Sequence, residues 1–296
     1  MISIAMATYN GEEFLEKQLD SILHQTIQDF EIVVCDDQSK DSTWELLEKY
    51  ARHDKRFRIY RNENNLGFKK NFEKAISLTR GDYIALSDQD DIWYPRHLEI
   101  LLKNIGDNLL CIGNCDMIDE DGNVYPQRYY EDSQQYRYLY TDSIRMSCRI
   151  LFTISPFLGC SMMMKRSFFE KAIPFPKEVR YHDVWLSLLG CFCGMSFTKE
   201  KIIRYRMTGR NVTGLRVNQF DKWIMIKLFV KLLIYNEHPQ GRREMIRTIM
   251  KRVSLNETEI KFLNKSHHVL SVKGNIFKCL QNAPFYIKHC RHIFTF

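Results

Sequence analysis

The residues best suited to chemistry form an acidic run, Ser87-Asp88-Gln89-Asp90-Asp91. This run follows the short apolar segment Tyr83–Leu86. Three carboxylates so close in sequence repel one another, and the run is unfavourable unless a cation lies between them. Carboxylate oxygens suit Mg²⁺ or Mn²⁺, and these ions also bridge substrate phosphates. We therefore predict a divalent metal at Asp88 and Asp90. Because Asp-x-Asp is common, the alternative is an acidic loop in which Asp91 caps the next helix.

Other polar residues follow strand-like segments nearer the N-terminus. Asp36 and Asp37 can accept hydrogen bonds from a base N–H or from ribose hydroxyls. Tyr9 could stack on a nucleobase, and the turn containing Asn65 and Gly67 can approach a phosphate. Taken singly, each is more often a cap, a packing residue or a plain loop. Ligands bind at the carboxyl ends of strands in open α/β sheets, however, so together these residues predict one site.

A further carboxylate, Asp183 in Tyr181-His182-Asp183-Val184-Trp185, lies at a predicted helix start. A carboxylate there can act as a general base for an acceptor hydroxyl. The alternative is a helix N-cap.

These residues need a scaffold that brings strand ends together, and the first half of the chain supplies one. Short apolar segments alternate with amphipathic helices, which indicates βαβ units and a mainly parallel sheet. The first of these helices is predicted over Glu12–Leu23, where Leu15, Leu19, Ile22 and Leu23 share one apolar face. The predicted strands are Ile2–Ala7, Glu31–Cys35, Phe57–Tyr60, Tyr83–Leu86, Leu109–Ile112, Ser161–Met164 and Gly194–Thr198. Residues 125–150 fit no pattern. After about Phe220 the pattern becomes helical, over Trp223–Tyr235 and Gly241–Val253.

Composition describes an ordinary globular protein, with 45% hydrophobic and 27% charged residues among 296. The nine cysteines include no Cys-x-x-Cys pair, which favours reduced thiols in a cytoplasmic protein over a disulfide framework. The N-terminal apolar run has no basic region ahead of it, so we do not expect a signal peptide there. No apolar run in the sequence reaches the length that spans a bilayer, so we also expect no transmembrane helix.

Charge is distributed unevenly along the chain. Residues 1–198 carry 23 Lys and Arg against 30 Asp and Glu, whereas residues 199–296 carry 20 against 6. A basic C-terminal third could face nucleic acid, anionic lipid or an anionic substrate, or it could be a solvated helical face.

Six short segments, taken in their order along the chain, form a recognisable set of motifs. They are Ala7-Thr8-Tyr9-Asn10-Gly11, Ser21–Thr26, Val34–Thr43, Asn65-Leu66-Gly67, Gly81–Trp93 and His182-Asp183. This ordered set resembles the family 2 glycosyltransferases of the GT-A fold, particularly their bacterial rhamnosyltransferase-like branch. The resemblance implies an α/β fold, Rossmann-like with a mainly parallel sheet. It implies a catalytic domain over residues 1–215, followed by a basic amphipathic helical extension over residues 216–296.

The resemblance also implies roles for individual residues. Those matching Tyr9 and Asp37 hold the base, with Asp36 beside them, while Asp88 and Asp90 hold the diphosphate through Mg²⁺ or Mn²⁺. Asp183 would deprotonate the acceptor, so that the anomeric centre inverts in one displacement. The residues expected to bind the nucleotide are Thr8, Tyr9, Asn10, Asp36, Asp37, Asn65, Gly67, Asn71, Asp88, Arg206 and Arg210.

One segment departs from the family pattern. Relatives often carry Tyr-Arg-Gln-His-Gly near the end of the catalytic domain, whereas this chain has Tyr205-Arg206-Met207-Thr208-Gly209. Thr208 is a poor substitute for the His as a ligand. Either the metal relies on carboxylates and water, or Arg206 and Arg210 carry more of the leaving-group charge.

We therefore predict an inverting transferase that uses a UDP- or dTDP-linked sugar, with rhamnose as one candidate, in surface polysaccharide synthesis. Its acceptor would be a lipid-linked glycan, met by the basic C-terminal helices at the inner face of the membrane. A nicotinamide dehydrogenase is excluded because Gly-x-Gly-x-x-Gly is missing after the first strand. A nucleotidyltransferase remains an alternative, as does a non-enzymatic module that binds membrane or nucleic acid. No motif supports nucleic acid as a partner.

Overall fold

A computed structural model of the chain describes residues 1–125, 143–152, 155, 157–208 and 239–271. The chain divides into two compact units that interleave along the sequence. The first contains Met1–Tyr130, Leu158–Pro174 and Gly194–Asn211, and the second contains Glu131–Phe157, Phe175–Cys193 and Val212–Phe296. The domain boundary predicted near residue 215 lies outside the described residues.

The described part of the first unit is built on a sheet of eight strands. They are β1 (Ile2–Thr8), β2 (Phe30–Asp36), β3 (Phe57–Arg61), β4 (Tyr83–Ser87), β5 (Ile92–Trp93), β6 (Leu110–Ile118), β7 (Met162–Lys165) and β8 (Met195–Arg206). Their order across the sheet is β3-β2-β1-β4-β7-β6-β8-β5. The pairs among β3, β2, β1 and β4 are parallel, as is β6 with β8, while β7 and β5 run antiparallel to their neighbours. The prediction of a mainly parallel sheet is confirmed.

Five helices of the first unit lie between or after these strands. They are α1 (Glu12–Leu23), α2 (Thr43–His53), α3 (Phe68–Ser77), α4 (His97–Ile105) and α6 (Arg166–Ala172), and helix α5 (Ser143–Phe152) of the second unit comes before α6 in the chain. Strands β1 and β2 are buried along almost their whole length, as expected for parallel strands covered by helices. On α1, Leu15, Leu19 and Ile22 form the predicted apolar face and are fully buried. Each such side chain stabilises the fold by about 1.5–3 kcal/mol.

Strand register decides which loops meet. Thr8 at the end of β1 lies opposite Asp36 at the end of β2, and Met6 lies opposite Ser87 at the end of β4. The loops after these three parallel strands therefore leave the sheet at one edge. Because β7 is antiparallel to β4, the short turn Gly159–Ser161 that precedes β7 reaches the same edge.

Strand β8 extends further than Gly194–Thr198, the strand predicted for this region. It pairs with β6 as far as Ile118↔Arg206 and with β5 at Ile92↔Arg204. Arg206 is therefore the last residue of a paired strand.

The described part of the second unit is helical. Its helices are α5 (Ser143–Phe152), α7 (His182–Cys193), α8 (Pro239–Arg252) and α9 (Glu257–Ser271). Helix α7 packs against α5 and α8, and α8 packs against α9. The predicted helix Gly241–Val253 is confirmed within two residues, whereas Trp223–Tyr235 lies outside the described residues. Among the described helices, none combines the length and apolar character needed to cross a bilayer.

Candidate functional site

The loop after β2 is organised by Asp36, whose side chain is fully buried. Its carboxylate accepts hydrogen bonds from Thr8 Oγ1 at 3.1 Å and from the backbone N–H of Ser39 at 3.0 Å. Arg61 approaches the same carboxylate at 3.6 Å, and its guanidinium lies over the Trp44 ring. Asp36 thus ties the ends of β1, β2 and β3 together beneath the predicted nucleotide site.

Asp37 is also buried, and it holds the turn before α3. Its Oδ1 accepts from Asn62 Nδ2 at 2.7 Å and from the Leu66 N–H at 2.8 Å, and its Oδ2 accepts from the Gly67 N–H at 2.8 Å. Gly67 has a φ of 78°, in the left-handed region that a side chain disfavours. Asn65 donates to the Asp37 carbonyl at 3.0 Å, so the turn is locked to the end of β2 from both sides.

Asn71 lies on α3 beneath this turn and is buried. Its Nδ2 donates to the Cys35 carbonyl at 2.8 Å, and its Oδ1 accepts from Asn62 at 2.8 Å. The structure therefore places Asn71 as a support for strand β2 and the Asp37 turn.

Tyr9 and Asn10 follow β1 and reach the surface. The Tyr9 side chain is 45% exposed, which leaves its ring free to stack on a planar ligand. Asn10 has a φ of 48°, and its Oδ1 accepts from the Lys40 N–H at 2.8 Å. Gln89 joins Tyr9 to the acidic run after β4, residues 88–91, which we call the acidic loop. The Gln89 side-chain amide accepts from the Tyr9 N–H at 2.8 Å and donates to the Tyr9 carbonyl at 3.1 Å.

In the acidic loop, Asp88 and Asp90 are partly exposed and Asp91 is fully buried. Desolvation raises the pKa of Asp90 to about 6, while the charge of Arg206 opposes that rise. Burial and the nearby charges of Asp90 and Asp88 raise the pKa of Asp91 well above its usual range. Asp91 does not cap a helix, since the short strand β5 follows it.

Asp88, Asp91 and Cys160 form a cluster in which one potential ligand atom from each lies within 4.8 Å of the others. Cys160 is fully buried, and the buried oxygen Asp91 Oδ2 has no hydrogen-bond partner of normal geometry among the described residues. Such an oxygen is costly unless another group neutralises it. This arrangement fits a divalent cation, although it groups Asp91 rather than Asp90 with Asp88.

Arg206 ends β8 and is fully buried. Its guanidinium donates to three backbone carbonyls, those of Asp90 at 2.9 Å, Asp119 at 3.0 Å and Glu120 at 2.7 Å. Contact with a diphosphate, expected from the sequence, stays a prediction. Thr208, two residues after Arg206 in the sequence, is also buried, and Arg210 lies outside the described residues.

Asp183 lies in the first turn of α7, in the second unit. Its Oδ1 accepts from the Val184 N–H at 2.7 Å, and desolvation raises the pKa of its carboxyl to about 6. A carboxylate with that pKa is a better proton acceptor near neutral pH than an ordinary aspartate. Because α7 begins at His182, Asp183 lies inside the helix and not at its N-cap.

Within the first unit, the predicted nucleotide and metal residues do converge at one sheet edge. Asn62 and Cys160 were not predicted as part of this region, while Gln89 and Asp91 lay within the acidic run without a predicted ligand role. Nothing in the local sequence around Cys160 indicated its place. Only the antiparallel pairing of β7 with β4 brings that thiol to the acidic loop.

The model of glycosyl transferase family 2 matches residues 3–173. The chain belongs to this family. An uncharacterized glycosyltransferase of Methanocaldococcus jannaschii is 30% identical over 221 residues, which cover 71% of this chain and 72% of that protein. The predicted family is therefore confirmed, and the protein is a glycosyltransferase.

Solved structures confirm that the family 2 glycosyltransferase has the GT-A fold. The crystal structure of Staphylococcus aureus TarS in complex with UDP has a TM-score of 0.60 at 19% identity, over 99% of this chain and 79% of that one. The mannosyltransferase of Pyrobaculum calidifontis, in complex with GDP-Man and Mn²⁺, has a TM-score of 0.57 at 16% identity, over 99% of this chain and 87% of that one.

Proposed function

We propose that this glycosyltransferase takes a sugar from a nucleoside-diphosphate donor, UDP- or dTDP-linked, and transfers it to a carbohydrate acceptor with inversion. The observation that supports the proposal is the convergence of the exposed Tyr9 ring and the acidic loop at the carboxyl edge of β1, β2 and β4. TarS has been solved with UDP, and the Pyrobaculum enzyme with GDP-Man and Mn²⁺. The comparisons give no support to a nucleotidyltransferase or to a non-enzymatic binding module.

In this proposal the residues of the first unit orient the donor. Tyr9 stacks on the base, and the turn that Asp37 holds presents the Gly67 region to the ribose and phosphates. Asp88 and Asp90, with Asp91 and Cys160 close by, hold Mg²⁺ or Mn²⁺. The bound ion supplies charge neutralisation for the departing nucleoside diphosphate.

Asp183 acts as the general base. Its carboxylate removes the proton from the acceptor hydroxyl as the oxygen attacks the anomeric carbon. The bond to the diphosphate breaks in the same displacement, so the configuration at the anomeric carbon inverts.

We also propose that the acceptor is a lipid-linked glycan and that the chain binds an anionic membrane surface peripherally. Exposed Arg247 and Lys251 on α8, with Lys261 and Lys265 on α9, support this proposal. Met250 and Ile260 are exposed apolar residues on the same helices. Basic residues near an anionic surface each contribute about 1 kcal/mol, and apolar side chains add to that.

The test is a thermal-shift screen of UDP-, dTDP- and GDP-sugars with and without Mn²⁺, followed by measurement of nucleoside-diphosphate release. A ligand that binds only the folded chain raises its apparent stability. We expect one uridine or thymidine donor to stabilise the protein in a Mn²⁺-dependent way and to be hydrolysed or transferred. Asp183→Asn serves as the matched control, which binds the donor without transfer. A chain that no nucleotide sugar stabilises in the presence of Mn²⁺ contradicts the proposed donor class.

A further inference from the structure

Arg206 is a buried cation whose described contacts lie within the fold. Its Nε donates to the Asp90 carbonyl at 2.9 Å, inside the acidic loop. Its Nη1 donates to the carbonyls of Asp119 and Glu120 at 3.0 and 2.7 Å, in the turn after β6. One planar guanidinium therefore connects two loops that are far apart in sequence.

The backbone of Arg206 makes a further connection to the acidic loop. Its N–H donates to Asp91 Oδ1 at 3.1 Å. Its guanidinium carbon lies 4.6 Å from the centre of the Phe14 ring on α1, a cation–π geometry. The acidic loop is thus held from β8, from the turn after β6 and, through this stacking, from α1.

Burying a guanidinium costs free energy unless its N–H groups donate hydrogen bonds and nearby negative or dipolar groups compensate its charge. Here backbone carbonyl oxygens accept from Nε and Nη1, and Nε is anchored on the carbonyl of Asp90 inside the acidic loop. A lysine has the same charge but lacks the planar fork that reaches both loops at once.

We infer that Arg206 is a positioning residue, which holds the acidic loop in the conformation that binds the divalent cation. This inference rests on the proposed function, in which Asp88 and Asp90 hold the ion. It differs from the expectation that Arg206 touches the diphosphate, because a positioning residue acts on cation affinity even when no nucleotide is present.

The experiment compares Arg206→Lys with Arg204→Lys in the full chain. Arg204 lies on the same strand two residues away, with its guanidinium over Tyr94, so it is a matched control for the chemical change. The dissociation constant for Mn²⁺ is measured without nucleotide, from the electron paramagnetic resonance signal of the free ion. UDP affinity is then measured at saturating Mn²⁺, and melting temperature confirms folding.

We expect Arg206→Lys to weaken Mn²⁺ binding by about tenfold or more, the scale of one lost charge-assisted hydrogen bond, and Arg204→Lys to leave it unchanged. Saturating Mn²⁺ should largely restore UDP affinity. If Arg206→Lys instead keeps normal Mn²⁺ affinity and loses UDP affinity, Arg206 contacts the diphosphate directly and the inference is wrong.

A second variant covers the case in which Arg206→Lys does not fold. Phe14→Leu removes the aromatic face beneath the guanidinium and keeps an apolar side chain in the core. We expect it to weaken Mn²⁺ binding in the same direction and by less, and unchanged Mn²⁺ affinity would reject the inference. If the unaltered chain itself fails to bind Mn²⁺, the proposed cation site is wrong, and that outcome is distinct from failure of the Arg206 variants.

Discussion

Asp183 shows how one side chain can be suited to proton transfer by its surroundings. The carboxyl is partly accessible, yet desolvation raises its pKa to about 6. Neighbouring His182 is buried, and burial lowers the pKa of its imidazole to about 4, so it is neutral at pH 7. The ionisable group of this pair that changes charge just below neutral pH is therefore the carboxyl.

We expect Asp183→Asn to bind the donor normally and to lower kcat by ~10²–10⁴-fold, the range for loss of a general base. In the unaltered enzyme the base must be ionised, so kcat should fall as pH drops through about 6. Measuring kcat from pH 5 to 8, together with donor affinity, checks both expectations. Glu178→Gln, an exposed acid in the same unit, is the control. Transfer by Asp183→Asn at the normal rate would show that the residue has no catalytic part.

The acidic loop permits a second test at a single residue. Asp90→Asn removes one charge from the proposed cation site and keeps the size of the side chain. We expect Mn²⁺-dependent turnover to fall by more than ~100-fold, the scale of a lost electrostatic stabiliser. Turnover is measured over a Mn²⁺ titration, with Asp82→Asn as control because Asp82 is an exposed carboxylate elsewhere on the same unit. Near-normal turnover of Asp90→Asn at saturating Mn²⁺ would remove Asp90 from the metal site.

At the scale of elements, the site depends on how closely the start of α1 approaches the acidic loop. A methyl group added to Gly11 would lie 2.4 Å from Gln89 Oε1. Gln89 uses that same oxygen to accept the Tyr9 N–H, so the glycine leaves room for the link between the β1 and β4 loops. The hydrogen bonds between the end of β1 and the acidic loop therefore require that position 11 has no side chain.

Gly11→Ala should displace the flexible end of Gln89 and break this link, at a cost to folding of about 1 kcal/mol or less. We expect the donor KM to rise several-fold, and Gln89→Ala to have a similar effect. Since both substitutions break one link, the double variant should be no worse than either alone. Donor KM and melting temperature of the three variants test this. Additive losses would mean that Gly11 and Gln89 act independently.

At the scale of the whole molecule, the charges of the chain are segregated. The acidic majority lies in residues 1–198, and residues 199–296 carry a net charge of +14. On helix α8, Met245, Ile246 and Ile249 are buried, which accounts for most of its apolar face. Its exposed basic residues Arg247 and Lys251 lie outside that packing, and Arg247 also pairs with Glu244 at 3.6 Å.

The chain should therefore sediment with anionic liposomes and not with neutral ones, and added salt should release it as the Debye length falls. Replacing Arg247 and Lys251 with Gln should weaken binding to anionic liposomes by about thirtyfold, from ~1 kcal/mol for each of the two basic residues. Replacing Lys17 and Lys55, exposed on the first unit, removes the same charge and should have little effect. Equal failure to bind both liposome types at low salt would leave α8 and α9 with a structural role alone.

The repeating parts of the fold were predictable because they follow local periodicity. The spacing of Leu15, Leu19 and Ile22 indicated α1 with its observed bounds, and the apolar runs around Ile4 and Val33 indicated buried strands. The acidic run after β4 also indicated its chemistry, since three carboxylates need a counter-charge wherever the chain places them. Sequence alone therefore determined the family, the main secondary structure and the sheet edge where the site lies.

Only the tertiary structure decided which residues support the site and how. The length of β8 and its pairing with β6 and β5 bury Arg206 beside the acidic loop, whereas its expected contact with a phosphate stays a prediction. Cys160 reaches Asp88 and Asp91 through an antiparallel strand that follows them by about 70 residues. Such contacts depend on strand order and register, which are set by the burial of whole strands and not by the residues next to the site.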